Sequence, residues 1–132
     1  MKRFSLSSEE RIKNKKEFDR VYKFGKTIIS SDKKLKAIFL FEQNLENPGV
    51  KIAVAVAKKA GTAVWRNKVK RLVRESYRLN KHPVIDLCIE KKSNLRIIVS
   101  PYYLSESKNE FIKLHEFMPS VLELLDRIKN ET

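Results

Sequence analysis

The stretch from Trp65 to Arg78 combines helical spacing of its apolar residues with a strong excess of positive charge. At about 100° per residue, one side of the predicted helix carries Trp65, Val69, Leu72, Val73 and Ser76. The opposite side carries Asn67, Lys70, Arg71, Arg74 and Arg78, and it is flanked by Arg66 and Lys68. An apolar helix side must be buried against other elements. The pattern therefore predicts a core helix whose other side presents cations.

Few acidic residues are available to neutralise these cations. Between residues 66 and 78, six basic side chains face one acid, Glu75, whereas a solvated helix face usually carries acids at i±4. Residues 1–78 hold 21 basic and 8 acidic side chains, and residues 79–132 hold 8 of each, so the first part of the chain carries the whole net charge of +13. This asymmetry favours a polyanionic partner, and nucleic acid is a better candidate than an anionic membrane surface.

The composition indicates one folded domain, because 42% of the 132 residues are hydrophobic. Cys88 is alone, which excludes an intramolecular disulfide and a multi-cysteine zinc site. The longest apolar run, residues 52–57, is far shorter than the roughly 20 residues that span a bilayer. The N-terminus also lacks the apolar run of a signal peptide. We therefore expect a cytoplasmic protein with one domain over residues 1–132, with 1–10 as its candidate disordered segment.

The remaining elements predict an α+β fold. Helices are expected at Lys13–Phe24, which Gly25 would end, and at Lys108–Lys129, and a loop is expected over residues 81–93. Strands are expected at Thr27–Ser30, Lys34–Phe41, 50–59 and Asn94–Ser100. The turn residues Asn47-Pro48-Gly49 suggest that the second and third strands form a hairpin. The order α-β-β-β-α-β-α predicts about four strands packed with three helices.

No catalytic constellation is apparent. His82 lies in the predicted loop, His115 lies on a predicted structural helix, and neither has a nucleophile at a recognisable spacing. We therefore expect no catalytic residue and no metal site in the chain itself. Phe18 and Tyr22 lie one helical turn apart among several lysines and arginines. They are either core residues or surfaces on which unpaired bases stack, and the local pattern does not separate the two.

Residues 56–76, VAKKAGTAVWRNKVKRLVRES, closely resemble the signature of the protein subunit of bacterial ribonuclease P. The matching features are Lys58-Lys59, Gly61, Ala63-Val64, the triplet Arg66-Asn67-Lys68 and the basic helix that follows. Residues 16–26 and 95–101 also resemble family segments, so the likeness runs from about residue 11 to 125. Lys68 departs from the usual Arg, which keeps the charge and loses the bidentate geometry of a guanidinium. Ala57 and Thr62 also depart from the Ser and Asn that are common there.

The resemblance implies a ribonucleoprotein whose large RNA hydrolyses precursor tRNA and releases the 5′ leader. The chain would then be a non-catalytic subunit of an endoribonuclease, monomeric and 1:1 with the RNA, and the Mg²⁺ would be held mainly by that RNA. The implied RNA-binding residues are Lys58, Lys59, Arg66, Asn67, Lys68, Lys70, Arg71 and Arg74. Phe18 and Tyr22 would line a cleft for the leader of the precursor tRNA, between the first helix and the sheet. The resemblance also implies a left-handed β-α-β crossover, against the usual right-handed default.

Three other functions are compatible with the charge pattern. A structural or ribosomal RNA-binding protein of related fold would leave tRNA processing unaffected. A self-sufficient nuclease would cleave RNA without an RNA subunit. A DNA-binding protein would place the basic helix in a major groove, and it would prefer duplex DNA to structured RNA at matched salt.

Overall fold

The computed structural model describes residues 8–131, which form a four-stranded mixed sheet with helices on both faces. The segment predicted to be disordered falls largely outside this range, and Ser8–Glu10 forms a 3₁₀ turn. The main elements are α1 (Lys15–Phe24), β1 (Lys26–Ile29), β2 (Leu35–Gln43), β3 (Gly49–Val54), α2 (Ala63–Asn80), α3 (His82–Lys91), β4 (Ser93–Pro101) and α4 (Leu114–Lys129). A second 3₁₀ turn, Lys58–Ala60, precedes α2.

The strand order β1-β2-β4-β3 shows that the predicted hairpin between β2 and β3 is wrong. β4 lies between them, antiparallel to β2 and parallel to β3. The physical reason lies in β4 itself, since Leu95, Ile97, Ile98 and Val99 are buried on both faces and need a central position. The connection from β3 through α2 and α3 to β4 is the β-α-β crossover that joins two parallel strands.

The larger core lies on the face of the sheet covered by α2, α3 and α4. Alternate strand residues point into it, among them Phe39, Ile52 and Ile97, because successive side chains of a strand point to opposite faces. From the helices it receives Trp65, Val69, Val73, Tyr77, Val84, Cys88, Phe117, Val121, Leu124, Leu125 and Ile128. The predicted apolar side of α2 is thereby confirmed.

Helix α1 covers part of the opposite face, where Val21 packs with Ile38 and Ile98. Asn14 caps its start by accepting a hydrogen bond from the Glu17 backbone N–H (2.8 Å). Gly25 ends the helix, as predicted, but in an extended conformation (φ −78°) and not the left-handed one. A Cβ at this position would lie 2.5 Å from the Val21 carbonyl oxygen and 2.8 Å from that of Phe39. Close approach of two backbones, and not a positive φ, therefore requires glycine here.

Two helices differ from the sequence prediction. Residues 82–91, predicted as a loop, form α3, with Pro83 in its first turn, where the missing N–H costs nothing. Helix α4 begins at Leu114, six residues later than predicted. In the segment before it, the Asn109 carbonyl instead accepts a hydrogen bond from the Trp65 indole at the start of α2.

The turn between β1 and β2 is held to α4 by a carboxylate. Glu123 accepts hydrogen bonds from the backbone N–H of Ser31 (2.9 and 3.0 Å) and from its hydroxyl (2.8 Å). The backbone hydrogen bond from Ser31 lowers the pKa of Glu123 below its ordinary value, and Arg127 contributes in the same direction. The ionised form of Glu123 is therefore the one that stabilises this contact.

We predict that Glu123→Gln lowers the free energy of unfolding by about 1 kcal/mol at neutral pH, because a charge-assisted hydrogen bond becomes a neutral one. A depressed pKa in the folded state stabilises the fold above the ordinary glutamate range and loses this effect as the pH falls through the folded-state pKa. Urea unfolding between pH 3 and 7 should therefore show a smaller acid-induced loss for the variant. Glu90→Gln, on the exposed side of α3, is the control. Equal acid sensitivity of Glu123→Gln and wild type would contradict the assignment.

Candidate nucleic-acid interface

The burial of one side of α2 turns its basic side outward. The helix starts at the Thr62 cap, whose hydroxyl accepts a hydrogen bond from the Trp65 backbone N–H (3.3 Å). Trp65, Val69 and Val73 are buried. The predicted RNA-binding residues therefore lie on the accessible side of the helix: Asn67 and Arg71 are exposed, and Arg66, Lys68, Lys70 and Arg74 are partly exposed. Lys58 and Lys59 are exposed on the 3₁₀ turn just before it.

These cations lack a carboxylate partner within residues 8–131. Glu75, the acid of α2, pairs with Arg78, which is not among the predicted contacts. No ion pair within the described range involves Lys58, Lys59, Arg66, Lys68, Lys70, Arg71 or Arg74. The pKa of Arg74 is lowered by burial and, to a smaller extent, by the neighbouring positive charge of Arg11. The helix thus presents a cationic surface, here called the α2 basic surface, which consists of Arg66, Asn67, Lys68, Lys70, Arg71 and Arg74. Carboxylates of residues 8–131 do not balance its charge.

The N-terminus of α2 is already occupied by an anion. Glu106, from the segment after β4, accepts a hydrogen bond from the Thr62 backbone N–H (2.7 Å), and its own N–H donates to the Ala60 carbonyl (2.8 Å). A carboxylate there is favoured by the unpaired N–H groups and the dipole of the helix. Glu106 therefore already engages this end of the helix.

Residues 106–109, here called the clamp, pack against the junction before α2. The Trp65 indole N–H donates a hydrogen bond to the Asn109 carbonyl (2.9 Å). At Gly61, whose backbone is extended, a Cβ would lie 2.8 Å from the Glu106 Cβ and from the Trp65 ring. Glycine is thus required by close packing of the clamp. Glu106 and Asn109 are held against the start of α2 by these contacts, and α4 begins only after them, at Leu114.

A cleft of about 590 Å³ opens between α1, the sheet and this clamp. It lies beyond the carboxyl ends of the parallel strands β3 and β4, where ligand sites of open sheets commonly form. Tyr22 lines it and is half exposed. Phe18 does not line it and is partly buried against the cluster of Val21, Ile38 and Ile98. The structure thus places the two aromatic residues in different environments: Tyr22 on the cleft and Phe18 on the small core.

Sequence reasoning missed several residues of this cleft. The polar and aromatic ones are Lys36, Ser100, Tyr102, Tyr103, Ser105 and Lys108. The adjacent tyrosines directly after Pro101 were the available signal, because two aromatic residues at the end of a buried strand cannot both enter the core. Their nearness to Lys36 and Lys59 depends on strand pairing and is not visible along the chain.

The family model described as Ribonuclease P matches residues 6–119, which is most of the chain. The chain belongs to the ribonuclease P protein family. Its likeness to the ribonuclease P protein component of Clostridium novyi (strain NT) is 33% identity over 122 residues, covering 92% of this chain and 96% of that protein. Members of the family are protein components of ribonuclease P, a tRNA-processing endoribonuclease.

Solved structures of ribonuclease P proteins share the fold. The protein of Thermotoga maritima, in complex with 1-(4-fluorophenyl)-2-thiourea, superposes with a TM-score of 0.70 at 27% identity, covering 89% of this chain and 98% of that one. The Staphylococcus aureus protein gives a TM-score of 0.66 at 27% identity, covering 90% and 94%. The ribonuclease P resemblance and the predicted α+β fold are thereby confirmed.

The ribonuclease P fold of this chain does not gather ligands for a metal ion: residues 8–131 contain no group of three or more His, Cys, Asp or Glu placed to hold one. This part of the chain therefore does not supply a cluster of side-chain donors for a Mg²⁺ ion. No helix in the described range is long and apolar enough to cross a membrane.

We predict that Gly61→Ala weakens binding of ribonuclease P RNA and also destabilises the fold. The added methyl group must displace Glu106 or the Trp65 ring, which shifts the turn that carries Lys58 and Lys59. We expect an overpacking cost of about 1–3 kcal/mol in urea unfolding and at least tenfold weaker RNA binding at a temperature where the variant remains folded. Ala63→Gly, on an exposed position of the same helix start, is the control. Unchanged RNA affinity in folded Gly61→Ala would show that the clamp does not position the interface.

Proposed function

We propose that this chain is the RNA-binding subunit of a ribonuclease P holoenzyme and promotes removal of the 5′ leader from precursor tRNA. The observation that carries the proposal is the α2 basic surface, whose cations have no carboxylate partners within residues 8–131. Isolated like charges repel one another, and RNA phosphates would supply the missing counter-charge. Family membership makes the ribonuclease P RNA the expected polyanion.

The side chains of the α2 basic surface suit a folded RNA. A guanidinium such as Arg66, Arg71 or Arg74 binds two phosphate oxygens at once, whereas Lys68 and Lys70 act as point charges. Asn67 adds a neutral donor and acceptor for a base edge or a ribose hydroxyl. Lys58 and Lys59 extend this surface toward the cleft. One continuous side of the protein is thus available to the catalytic RNA.

The cleft suits an unpaired strand, and we assign to it the 5′ leader. Tyr22 presents an accessible ring, while Phe18 supports α1 from beneath by packing on the sheet. Single-stranded RNA is held by aromatic stacking combined with cations that follow its backbone. Because Lys59 belongs both to the 3₁₀ turn before α2 and to the lining of the cleft, the leader and the catalytic RNA would meet there.

The bond-breaking chemistry is assigned to the RNA. Mg²⁺ supplies charge neutralisation and an activated water when bound by RNA phosphates. This chain contributes electrostatics, because its cations allow those phosphates to approach one another and the precursor. The protein would thereby raise the affinity of the holoenzyme for precursor tRNA. We expect one protein monomer per RNA, in the cytoplasm.

The deciding experiment measures cleavage of a leader-bearing precursor tRNA by the same organism's ribonuclease P RNA at low Mg²⁺, with and without the protein. Stimulation that disappears in Arg66→Ala/Lys70→Ala supports the proposal. Absence of stimulation, with tight binding to other structured RNA, would favour a structural RNA-binding protein. Cleavage by the protein without RNA would indicate a nuclease, and preference for duplex DNA at matched salt would indicate a DNA-binding protein.

We also predict a shallower salt dependence of RNA binding for Arg66→Ala and for Lys70→Ala. Each phosphate contact that is lost should reduce the slope of log K against log salt by about 0.7–0.9. Filter binding of ribonuclease P RNA across a salt series measures this slope. Lys91→Ala, an exposed lysine on α3, keeps the same change in net charge and should leave the slope near that of wild type. Unchanged slopes in both α2 variants would overturn the assignment of this surface.

A further inference from the structure

Two tyrosines form a stacked pair at the mouth of the cleft. The ring centroids of Tyr102 and Tyr103 are 4.4 Å apart, and the ring planes are inclined by 26°. Tyr102 is 39% exposed and Tyr103 is 60% exposed. Adjacent aromatic side chains normally reduce their contact with water by entering a core. These two rings stack on each other at the surface and leave apolar ring faces accessible.

The backbone holds this pair in a fixed position. The N–H of Tyr102 donates to the Lys34 carbonyl (2.8 Å), and the N–H of Tyr103 donates to the Lys33 carbonyl (2.9 Å). These bonds continue the pairing of β4 with the chain just before β2, and Leu104, the next residue, is buried. The backbone that carries the rings is therefore fixed to the sheet. A ligand that stacks on them would lose little binding free energy to ordering this segment.

The charges around the pair are of one sign. Lys36, Lys59 and Lys108 line the same cleft as the two tyrosines, and no carboxylate lines it among the described residues. The neighbouring groove on the same face of the sheet, toward the other end of α1, differs: there Glu17 pairs with Arg96 (2.6 Å) and Glu42 pairs with Arg20. The cations are thus balanced in that groove and unbalanced beside the tyrosines.

Aromatic faces and uncompensated lysines in one cleft match an unpaired nucleotide. The base supplies a flat π surface for stacking, and its phosphates supply the anions. An acidic peptide would use the lysines and would not need two stacked rings. A purely structural role would bury at least one of the two rings, and both are exposed.

We infer that the Tyr102–Tyr103 pair is a stacking platform for one unpaired nucleobase, with Lys36, Lys59 and Lys108 holding the flanking phosphates. Tyr103, the more exposed ring, offers the larger free face. The identification of this nucleotide as part of the 5′ leader rests on the proposed function. Binding of a single-stranded RNA to the platform does not.

The first test uses the full-length protein alone with a short single-stranded RNA that contains 2-aminopurine, whose fluorescence is quenched by stacking. We expect quenching with wild type, its loss in Tyr102→Leu/Tyr103→Leu, and its retention in Tyr102→Phe/Tyr103→Phe, because phenylalanine keeps the ring. Phe24→Leu removes an exposed aromatic ring of α1 that does not line the cleft, and it should behave as wild type. Quenching that survives the leucine double variant, or that is lost equally in the phenylalanine variant, overturns the platform.

The second test uses the holoenzyme and compares leader-bearing precursor tRNA with mature tRNA, which lacks the leader. The leucine double variant should bind the precursor about 5- to 150-fold more weakly, the range expected for one lost base stack, and it should bind mature tRNA as wild type does. Equal affinity of the leucine variant and wild type for the precursor overturns the platform as a leader site. If wild-type protein stimulates no cleavage but quenches the RNA oligonucleotide, the proposed function fails and the platform stands.

Discussion

The central position of β4 is the constraint on which the rest of this structure depends. Because both faces of β4 are buried, it pairs with β2 on one side and β3 on the other. The parallel pairing with β3 brings the carboxyl ends of the two strands to one edge of the sheet. The lysines that precede α2 follow one strand, and the stacked tyrosines follow the other. Residues more than 40 positions apart thereby become neighbours in one cleft.

Ion pairs are distributed unevenly between the α1 face and helix α2. On the α1 face, Glu17 and Glu42 are paired with arginines of the sheet and helix. On α2, Glu75 forms an ion pair with Arg78, and the other cations have no acidic partner in the described range. Surface ion pairs contribute little to stability individually. What matters here is the difference between the two helices: acidic residues pair with the arginines on the α1 face, whereas the cations of the α2 basic surface have no such pairs in the described range.

One segment connects the two candidate binding surfaces. The chain from Tyr102 to Asn109 first forms the wall of the cleft and then clamps the start of α2 through Glu106 and the Asn109 carbonyl. Gly61 is the position at which this clamp allows no side chain. The same geometry gives a physical reason for Gly61, since a larger residue would push Glu106 away from the turn that carries Lys58 and Lys59.

The sequence by itself determined which side of α2 is buried, where the positive charge lies, and the family, because periodicity, charge and a local signature are all contained in short segments. The tertiary structure alone decided that β4 separates β2 from β3, that residues 82–91 are helical, and that Phe18 and Tyr22 lie in different environments. It also placed Tyr102 and Tyr103 beside Lys36 and Lys59. The periodicity of apolar residues predicts that one face of an element is buried, but it does not predict which neighbouring element packs against that face. Strand partners are chosen by non-local packing, so the cleft could not be predicted from the chain.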